Sequence, residues 1–206
     1  DRIIEIGAVK ITDGKIVDKF STFVNPQIPI SFRIEKLTGI TDAMVLSAPT
    51  IETVLKEFLD FCGDAVLVAH NAEFDTSFIA NKAQKQGITV NNTILDTVLL
   101  AQFVIPNLHN YKLDTLCKHL GVSLENHHRA VDDAGATADA FIKLIEMLKE
   151  RDIFDLEMLN EKGKLDVDSI RKLHQYHCII LAANETGRIN LYLSLIHISE
   201  PTRLRC

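Results

Sequence analysis

The sequence contains no tryptophan, only three tyrosines and five prolines, and no apolar run of membrane-spanning length. A helix that crosses a bilayer needs about 20 consecutive, mainly apolar residues, so the sequence predicts none. The first residues, DRIIEIGAVKI, alternate in the manner of a strand, which is not the pattern of a signal peptide. We therefore expect a cytoplasmic protein without a membrane partner.

Cysteine and positive charge are also scarce. The cysteines at 62, 117, 178 and 206 have no paired spacing, which favours free thiols in a reducing compartment over disulfides or a zinc cluster. The net charge is −6, whereas a non-enzymatic nucleic-acid binder usually carries an excess of basic residues. A nucleic-acid enzyme remains open, because divalent metals can carry the positive charge that faces the phosphate.

Hydrophobic residues make up 47% of the chain, and their spacing predicts an α/β domain over residues 1–150. Two alternating stretches around Asp13-Gly14 predict a β-hairpin. Helical and strand patterns then alternate: helices at 51–62, 73–86, 97–104, 113–120 and 130–149, and strands at 65–69 and 93–95. The apolar run AVLVA at 65–69 is typical of a strand buried on both faces. We expect a mixed sheet flanked by helices.

The segment HNAEFD, residues 70–75, places polar groups at the end of that predicted strand. Open α/β sheets bind ligands at the carboxyl ends of their strands, so His70 and Asn71 lie where a site is expected. Asp75 lies in the first turn of the helix that follows. A structural interpretation is also open, in which Asn71 forms a turn and Asp75 complements the positive end of the helix.

The segment HHRAVDDA, residues 127–134, opens the longest predicted helix. His128 lies just before it, and Asp133 lies one turn inside, beside the apolar stripe, so that it can point toward the sheet. Asp132 is rotated by about 100° and is expected to face solvent. His127 is interpreted as a surface or helix-packing histidine. The structural alternative is a solvated acidic first turn with a capping histidine.

Asp75 and Asp133 together suggest a site for a hard cation, because carboxylate oxygens suit magnesium or manganese. A histidine beside such a site could take a proton from an attacking water. Two carboxylates are too few to hold two metals. A third aspartate, Asp96, is interpreted as a structural cap of the helix that begins at Thr97.

Three segments resemble those of the DnaQ-like 3′–5′ exonucleases of the DEDDh branch: HNAEFD, the H-x-A-x-x-D pattern from His128 to Asp133, and LTGITDAMV at 37–45. The resemblance implies a ribonuclease H-like fold and two-metal hydrolysis of 3′-terminal phosphodiester bonds. The implied site residues are Asp75 and Asp133 as ligands of Mg²⁺ or Mn²⁺, His128 as general base, and Asn71, Phe74, Thr38 and Gly39 along the substrate cleft.

The first motif of this family is Asp-x-Glu, on a strand about ten residues before the stretch that resembles IIEIGAVKI. This sequence opens at IIEIGAVKI, so the resemblance implies a fold without its first strand and a site without two of its carboxylates. For the 206-residue chain itself we expect negligible nuclease activity and weak metal affinity.

Residues 171–192 resemble the segment that follows the exonuclease in PolC-type DNA polymerase III alpha subunits, where a PHP domain resumes. The expected organisation is an exonuclease domain at 1–150, a polar linker at 151–170 and the start of a PHP remnant at 171–192. Residues 193–206 resemble a translated sequencing adapter and are expected to be artefactual. The resemblance implies a proofreading function, with the single-stranded or frayed 3′ end of DNA, the rest of the polymerase chain and the sliding clamp as partners.

Two other functions stay open at this point. One is an RNA-trimming exoribonuclease of the same DEDDh branch. The other is a non-catalytic module with an exonuclease-like fold that binds a partner, which fits a chain with only two of the expected carboxylates.

Overall fold

The structure is a computed structural model that describes residues 2–124 and 129–163. Strands β1 (Glu5–Thr12) and β2 (Lys15–Phe23) pair antiparallel, with Glu5 opposite Phe23. The connecting residues Asp13 and Gly14 both have positive φ angles, 51° and 73°. This is the backbone of a two-residue hairpin turn whose twist matches that of the strands, and it confirms the predicted hairpin.

A second pair of strands is parallel. Strand β3 (Leu67–Ala69) aligns with β4 (Ile94–Asp96), so that Leu67 faces Ile94 and Ala69 faces Asp96. The prediction of a strand over 65–69 buried on both faces was wrong: β3 has three half-buried residues, and Val66 just before it is 41% exposed. An apolar run shows that a segment is hydrophobic. Burial on both faces also requires other helices or strands to pack against each face, and the run does not say whether they do.

The eight described helices are α1 (Phe32–Thr38), α2 (Asp42–Val45), α3 (Ile51–Cys62), α4 (Ala72–Lys85), α5 (Thr97–Val104), α6 (Leu113–Leu120), α7 (Ala130–Lys149) and α8 (Leu156–Lys162). The five long predicted helices are all confirmed, with bounds that agree within one residue. The sequence missed α1, α2 and α8, because helices of seven residues or fewer are too short to show a periodic apolar stripe. Within the described residues, no helix has the length and apolar character to cross a membrane.

The described strands form two separate two-stranded sheets, one antiparallel and one parallel, with helices packed around them. The α/β class and the mixture of strand directions agree with the predicted fold. A single continuous sheet is not seen among the described strands, because β1 and β3 do not pair with each other. Helix α7 contacts both strands.

Two apolar clusters form the core of the part of the chain that the structure describes. One lies between the hairpin, α3 and α4, and its buried members are Ile6, Val24, Val54, Leu55, Phe58, Cys62 and Ala83. The other lies between α5, α6 and α7, and its buried members are Leu100, Ala101, Val104, Leu116, Cys117, Ala136, Ala140, Leu144, Leu148 and Ile153. Each cluster thus anchors helices whose first turns carry candidate site residues.

Cys62 and Cys117 are free, as the cysteine spacing predicted, and both are buried in these clusters. Cys178 and Cys206 lie outside the described residues. Burial raises the pKa of each thiol to about 11. Because the thiolate is the reactive form, both side chains act as small apolar groups at neutral pH.

The expected linker begins inside the compact part of the chain, which extends to Gly163. Ile153 is 4% exposed, and the Arg151 guanidinium donates to the carbonyl of Val104 at 2.7 Å, at the end of α5. The ammonium group of Lys162 in α8 donates to the carbonyl of Arg151 at 3.1 Å. Charged side chains of this segment therefore bind backbone carbonyls, a contact that a polar composition does not reveal. The expected PHP remnant and tail, 171–206, lie outside the described residues.

Close packing of α7 on β1 yields a stability prediction. A Cβ atom at Gly7 would overlap the backbone of Ala130 and Val131, which cannot move aside as a side chain could. Gly7→Ala is therefore expected to lower the free energy of unfolding by roughly 1–3 kcal/mol, measured by urea denaturation. Gly135→Ala in the same helix is the matched control. Nothing lies within 4 Å of a Cβ atom added at Gly135, so this substitution should raise the free energy of unfolding by about 0.5–1 kcal/mol. Equal effects of the two substitutions would contradict the close contact.

Candidate active site

The turn between β3 and α4 carries the HNAEFD segment. Asn71 precedes α4 with φ 67° and ψ 57°, a left-handed conformation that asparagine tolerates better than most residues. Its side chain makes no capping hydrogen bond to α4 and is exposed. The structural interpretation of Asn71 as a turn residue is thus confirmed, and its amide group remains available to a ligand.

Asp75 lies in the first turn of α4 and is exposed to solvent. Its pKa is raised, first because surrounding protein atoms displace part of its hydration and then because of the negative charge of Asp96. A carboxylate held in a setting that disfavours its charge is typical of sites that bind a cation or a proton.

Phe74 is 62% exposed beside Asp75. Its ring contacts that of Phe78 edge-to-face, with centroids 5.2 Å apart. An exposed aromatic face supported from one side is suited to stack on an unpaired base.

His70 points into the protein. Its Nε2 lies 2.7 Å from the carbonyl oxygen of Tyr111, and its Nδ1 lies 2.9 Å from the hydroxyl of Thr97. Since a carbonyl only accepts, Nε2 donates to Tyr111, and Nδ1 of the neutral ring accepts from Thr97. Burial lowers the pKa of His70. His70 therefore ties the end of β3 to the segment before α6 and does not face the candidate site.

Asp96 caps α5 as the sequence predicted, with its carboxylate accepting from the N–H of Val98 at 2.8 Å. The same carboxylate also accepts from the N–H groups of Asn71 and Ala72, each at 3.1 Å. This second set of contacts was missed, because it depends on the alignment of two strands that lie 25 residues apart in the chain.

Helix α7 begins against β1. The Glu5 carboxylate, whose side chain is 5% exposed, accepts from the N–H of Ala130 at 2.9 Å and from the Arg129 guanidinium at 2.9 Å. The Arg129 guanidinium also lies over the ring of Phe23, 5.3 Å from its centroid. Sequence reasoning passed over Glu5, although a carboxylate inside the apolar stretch IIEIGAV signals a buried polar contact.

Asp133 lies in the first turn of α7 and is half-buried, with its Oδ1 atom buried. Asp132 is half-buried as well, so the prediction that it faces solvent was wrong, because α7 packs closely on β1 along its first turn. Helices α4 and α7, which carry Asp75 and Asp133, both contact β3. His127 and His128 lie outside the described residues.

Thr38 and Gly39, from the LTGITDAMV segment, end α1. The Thr38 hydroxyl donates to the carbonyl of Ile34 at 2.9 Å and accepts from the N–H of Ile40 at 3.2 Å. Gly39 has φ 72°, which favours glycine at a helix end. Both residues thus have a structural function, and any contact with substrate would be additional.

The donor chemistry fits a hard divalent cation, since Asp75 and Asp133 supply carboxylate oxygens. Over residues 2–124 and 129–163, however, no group of three or more histidine, cysteine or acidic side chains is placed to hold a metal ion. The described carboxylates can therefore provide only part of a coordination sphere.

Comparison with known proteins assigns the chain. A family model described as Exonuclease matches residues 1–141, which include both candidate ligands. The chain belongs to this exonuclease family. The chain is 51% identical over 201 residues to the PolC-type DNA polymerase III of Clostridium perfringens and 41% identical over 203 residues to that of Bacillus subtilis. Each alignment covers 96% of this chain and 14% of the polymerase.

Solved structures agree with the fold. The chain superposes on Exonuclease X in complex with 5′ overhanging duplex DNA with a TM-score of 0.62 and 28% identity, covering 79% of this chain and 91% of that one. The nuclease domain of 3′hExo, a DEDDh family member bound to rAMP, gives a TM-score of 0.61 at 24% identity, covering 72% and 82% of the two chains. The ribonuclease H-like fold predicted from the resemblance is confirmed.

The buried His70 predicts a pH dependence of stability. Its pKa in the folded protein lies below the ordinary value of 6.5, so the unfolded chain binds a proton more readily. The contribution of His70 to stability is therefore complete above pH 6.5 and is lost as the pH falls through the folded pKa. In His70→Gln, the difference between the free energies of unfolding at pH 7.5 and pH 5.5 should be smaller than in the unsubstituted chain. Identical differences would show that the ring is not held in its neutral form.

Proposed function

We propose that this chain is the proofreading exonuclease region of a bacterial replicative DNA polymerase, which removes 3′-terminal nucleotides by metal-dependent hydrolysis. The observation that carries the proposal is the 51% identity to a PolC-type polymerase along 96% of the chain, which includes the HNAEFD and HHRAVDDA segments. The proposed division of the chain is an exonuclease domain at 1–150, a connection at 151–170 and the start of a PHP remnant at 171–192.

Asp75 and Asp133 are the proposed metal ligands of this chain, for Mg²⁺ or Mn²⁺. When bound, paired cations would stabilise the charge that develops on the scissile phosphate. The raised pKa of Asp75 supports its assignment, because a bound cation would offset the cost of keeping the carboxylate charged. Two carboxylates are too few for two cations, so further acidic ligands are needed for activity.

His128 is the proposed general base. It stands one residue before Arg129, whose contacts with Glu5 hold the start of α7 on β1. A histidine at this place in the chain can take the proton from the attacking water, because its ordinary pKa lies close to neutral pH.

Phe74, Asn71, Thr38 and Gly39 are proposed to line the cleft for the 3′-terminal nucleotides. The exposed ring of Phe74 supports stacking on a terminal base. A mismatched end would enter the cleft more readily than a paired one, since unpairing costs less there. Exonuclease X in complex with 5′ overhanging duplex DNA provides an example of this fold with DNA bound. The other proposed partners are the remainder of the polymerase chain and the sliding clamp, in the cytoplasm.

The test compares the 206-residue chain with the product of the same reading frame extended upstream of residue 1. We expect negligible cleavage by the shorter chain, and Mn²⁺-dependent release of 3′-terminal nucleotides from a mismatched DNA primer by the longer one. In the longer chain, His128→Ala should lower kcat by roughly 10²–10⁴-fold, because general-base catalysis contributes about this much. His127→Ala is the matched control and should leave kcat within about twofold, a change of roughly 0.4 kcal/mol in the activation barrier.

The same assay tests the ligands. Asp133→Asn should abolish cleavage, whereas Asp132→Asn one position earlier should retain it. Faster degradation of an RNA oligomer than of the DNA primer would favour an exoribonuclease over proofreading. An upstream reading frame without an Asp-x-Glu strand would favour a non-catalytic module and would overturn the proposal.

A further inference from the structure

The ends of β3 and β4 bring one carboxylate between two helix N-termini. The two strands are parallel and in register, with Ala69 opposite Asp96 at their last positions. The chain continues from Ala69 into the turn that opens α4, and from Asp96 directly into α5. A side chain at position 96 can therefore reach the first backbone N–H groups of both helices.

Asp96 uses both carboxylate oxygens in this way. Its Oδ1 accepts from the N–H of Asn71 at 3.1 Å and of Val98 at 2.8 Å, and its Oδ2 accepts from the N–H of Ala72 at 3.1 Å. The first N–H groups of a helix lack partners within the helix, and a charged acceptor satisfies them well. Asn71, the residue in the N-cap position of α4, provides no side-chain cap of its own. The cap of α4 therefore comes from the neighbouring strand.

We propose that Asp96 is a positioning residue of the nuclease site: by capping α4 from β4, it fixes the turn that presents Asn71, Phe74 and Asp75. The inference rests on the proposed function, because Asp75 matters here as a metal ligand. If Asp96 only capped α5, its hydrogen bond to the N–H of Val98 would suffice. The two hydrogen bonds to Asn71 and Ala72 cap α4 instead, at the turn that carries the candidate site residues.

The alternative to a positioning function is that Asp96 acts only through its negative charge. Asp96 lies near enough to raise the pKa of Asp75, so its negative charge alone could attract a cation. The two explanations differ in what Asp96→Glu does. Glutamate keeps the charge, but its longer side chain does not place two oxygens on the same three N–H groups. Asp96→Asn keeps the size, but it loses the charge and one acceptor oxygen.

The experiment is a Mn²⁺ titration of the isotope-labelled 206-residue chain, carried to the high Mn²⁺ concentrations that its expected weak affinity requires and followed by paramagnetic broadening of backbone amide signals. In the unsubstituted chain, Mn²⁺ should broaden the signals around Asp75 and Asp133. Both Asp96→Glu and Asp96→Asn should raise the Mn²⁺ concentration for half-broadening by about 10-fold or more, the usual effect of losing a residue that orients a ligand. Hydrogen exchange of the Asn71 and Ala72 amides should be faster in both variants.

The matched controls are Asp155→Glu and Asp155→Asn. Asp155 is the N-cap of α8 and accepts from the N–H of Met158 at 2.7 Å, so its variants lose a helix cap of another part of the chain. The Asp155 variants should leave the Mn²⁺ titration unchanged, even where they lower the melting temperature as much as the Asp96 variants do. If the Asp155 and Asp96 variants changed the titration equally, the effect of Asp96 would come from a general loss of stability, and the inference would be overturned.

Two further outcomes separate the inference from the proposed function. Unchanged Mn²⁺ binding in Asp96→Glu would show that charge alone acts, and unchanged exchange of the Asn71 and Ala72 amides would show that no turn is held; either result overturns the inference. Absence of broadening near Asp75 in the unsubstituted chain would instead count against the metal site of the proposed function, while the exchange data would still decide whether Asp96 holds the turn.

Discussion

The close approach of α7 to β1 is the contact on which the rest of the structure depends. Gly7 provides no side chain, so the helix backbone at Val131 can lie directly on the strand. Glu5, two residues earlier, turns its carboxylate to the same helix end and binds Ala130 and Arg129. A missing Cβ and a buried carboxylate on one strand thus set both the depth and the register of the longest helix.

The two helices that carry the proposed ligands are held by the same device. A carboxylate from a strand accepts backbone N–H groups at the first turn of each: Glu5 for α7 and Asp96 for α4. In both cases the capping residue is distant in sequence from the helix it caps. Such caps fix a helix end relative to the sheet, which a local cap cannot do, because a local cap moves with its own helix. The first turns that present Asp75 and Asp133 are therefore tied to the strands.

The polar network around His70 extends this arrangement to the other side of β3. His70 joins Thr97 at the start of α5 to Tyr111 before α6, within protein that excludes much of the water. Its neighbour Asn71 is exposed. Adjacent residues of one motif thus serve opposite purposes, since the turn directs one side chain inward and leaves the other in solvent.

The amino-acid sequence by itself determined the hairpin, the five long helices and the family, because turn residues, apolar periodicity and short polar motifs are local properties of the chain. It identified Asp96 as a cap and Asp75 and Asp133 as candidate ligands for the same reason. Only the tertiary structure decided that β3 is short and half-exposed, that Asp132 is half-buried, and that Glu5 and Asp96 hold helices far from them in the sequence. These features arise from which elements pack together, and the spacing of residues within one element carries no record of its neighbours.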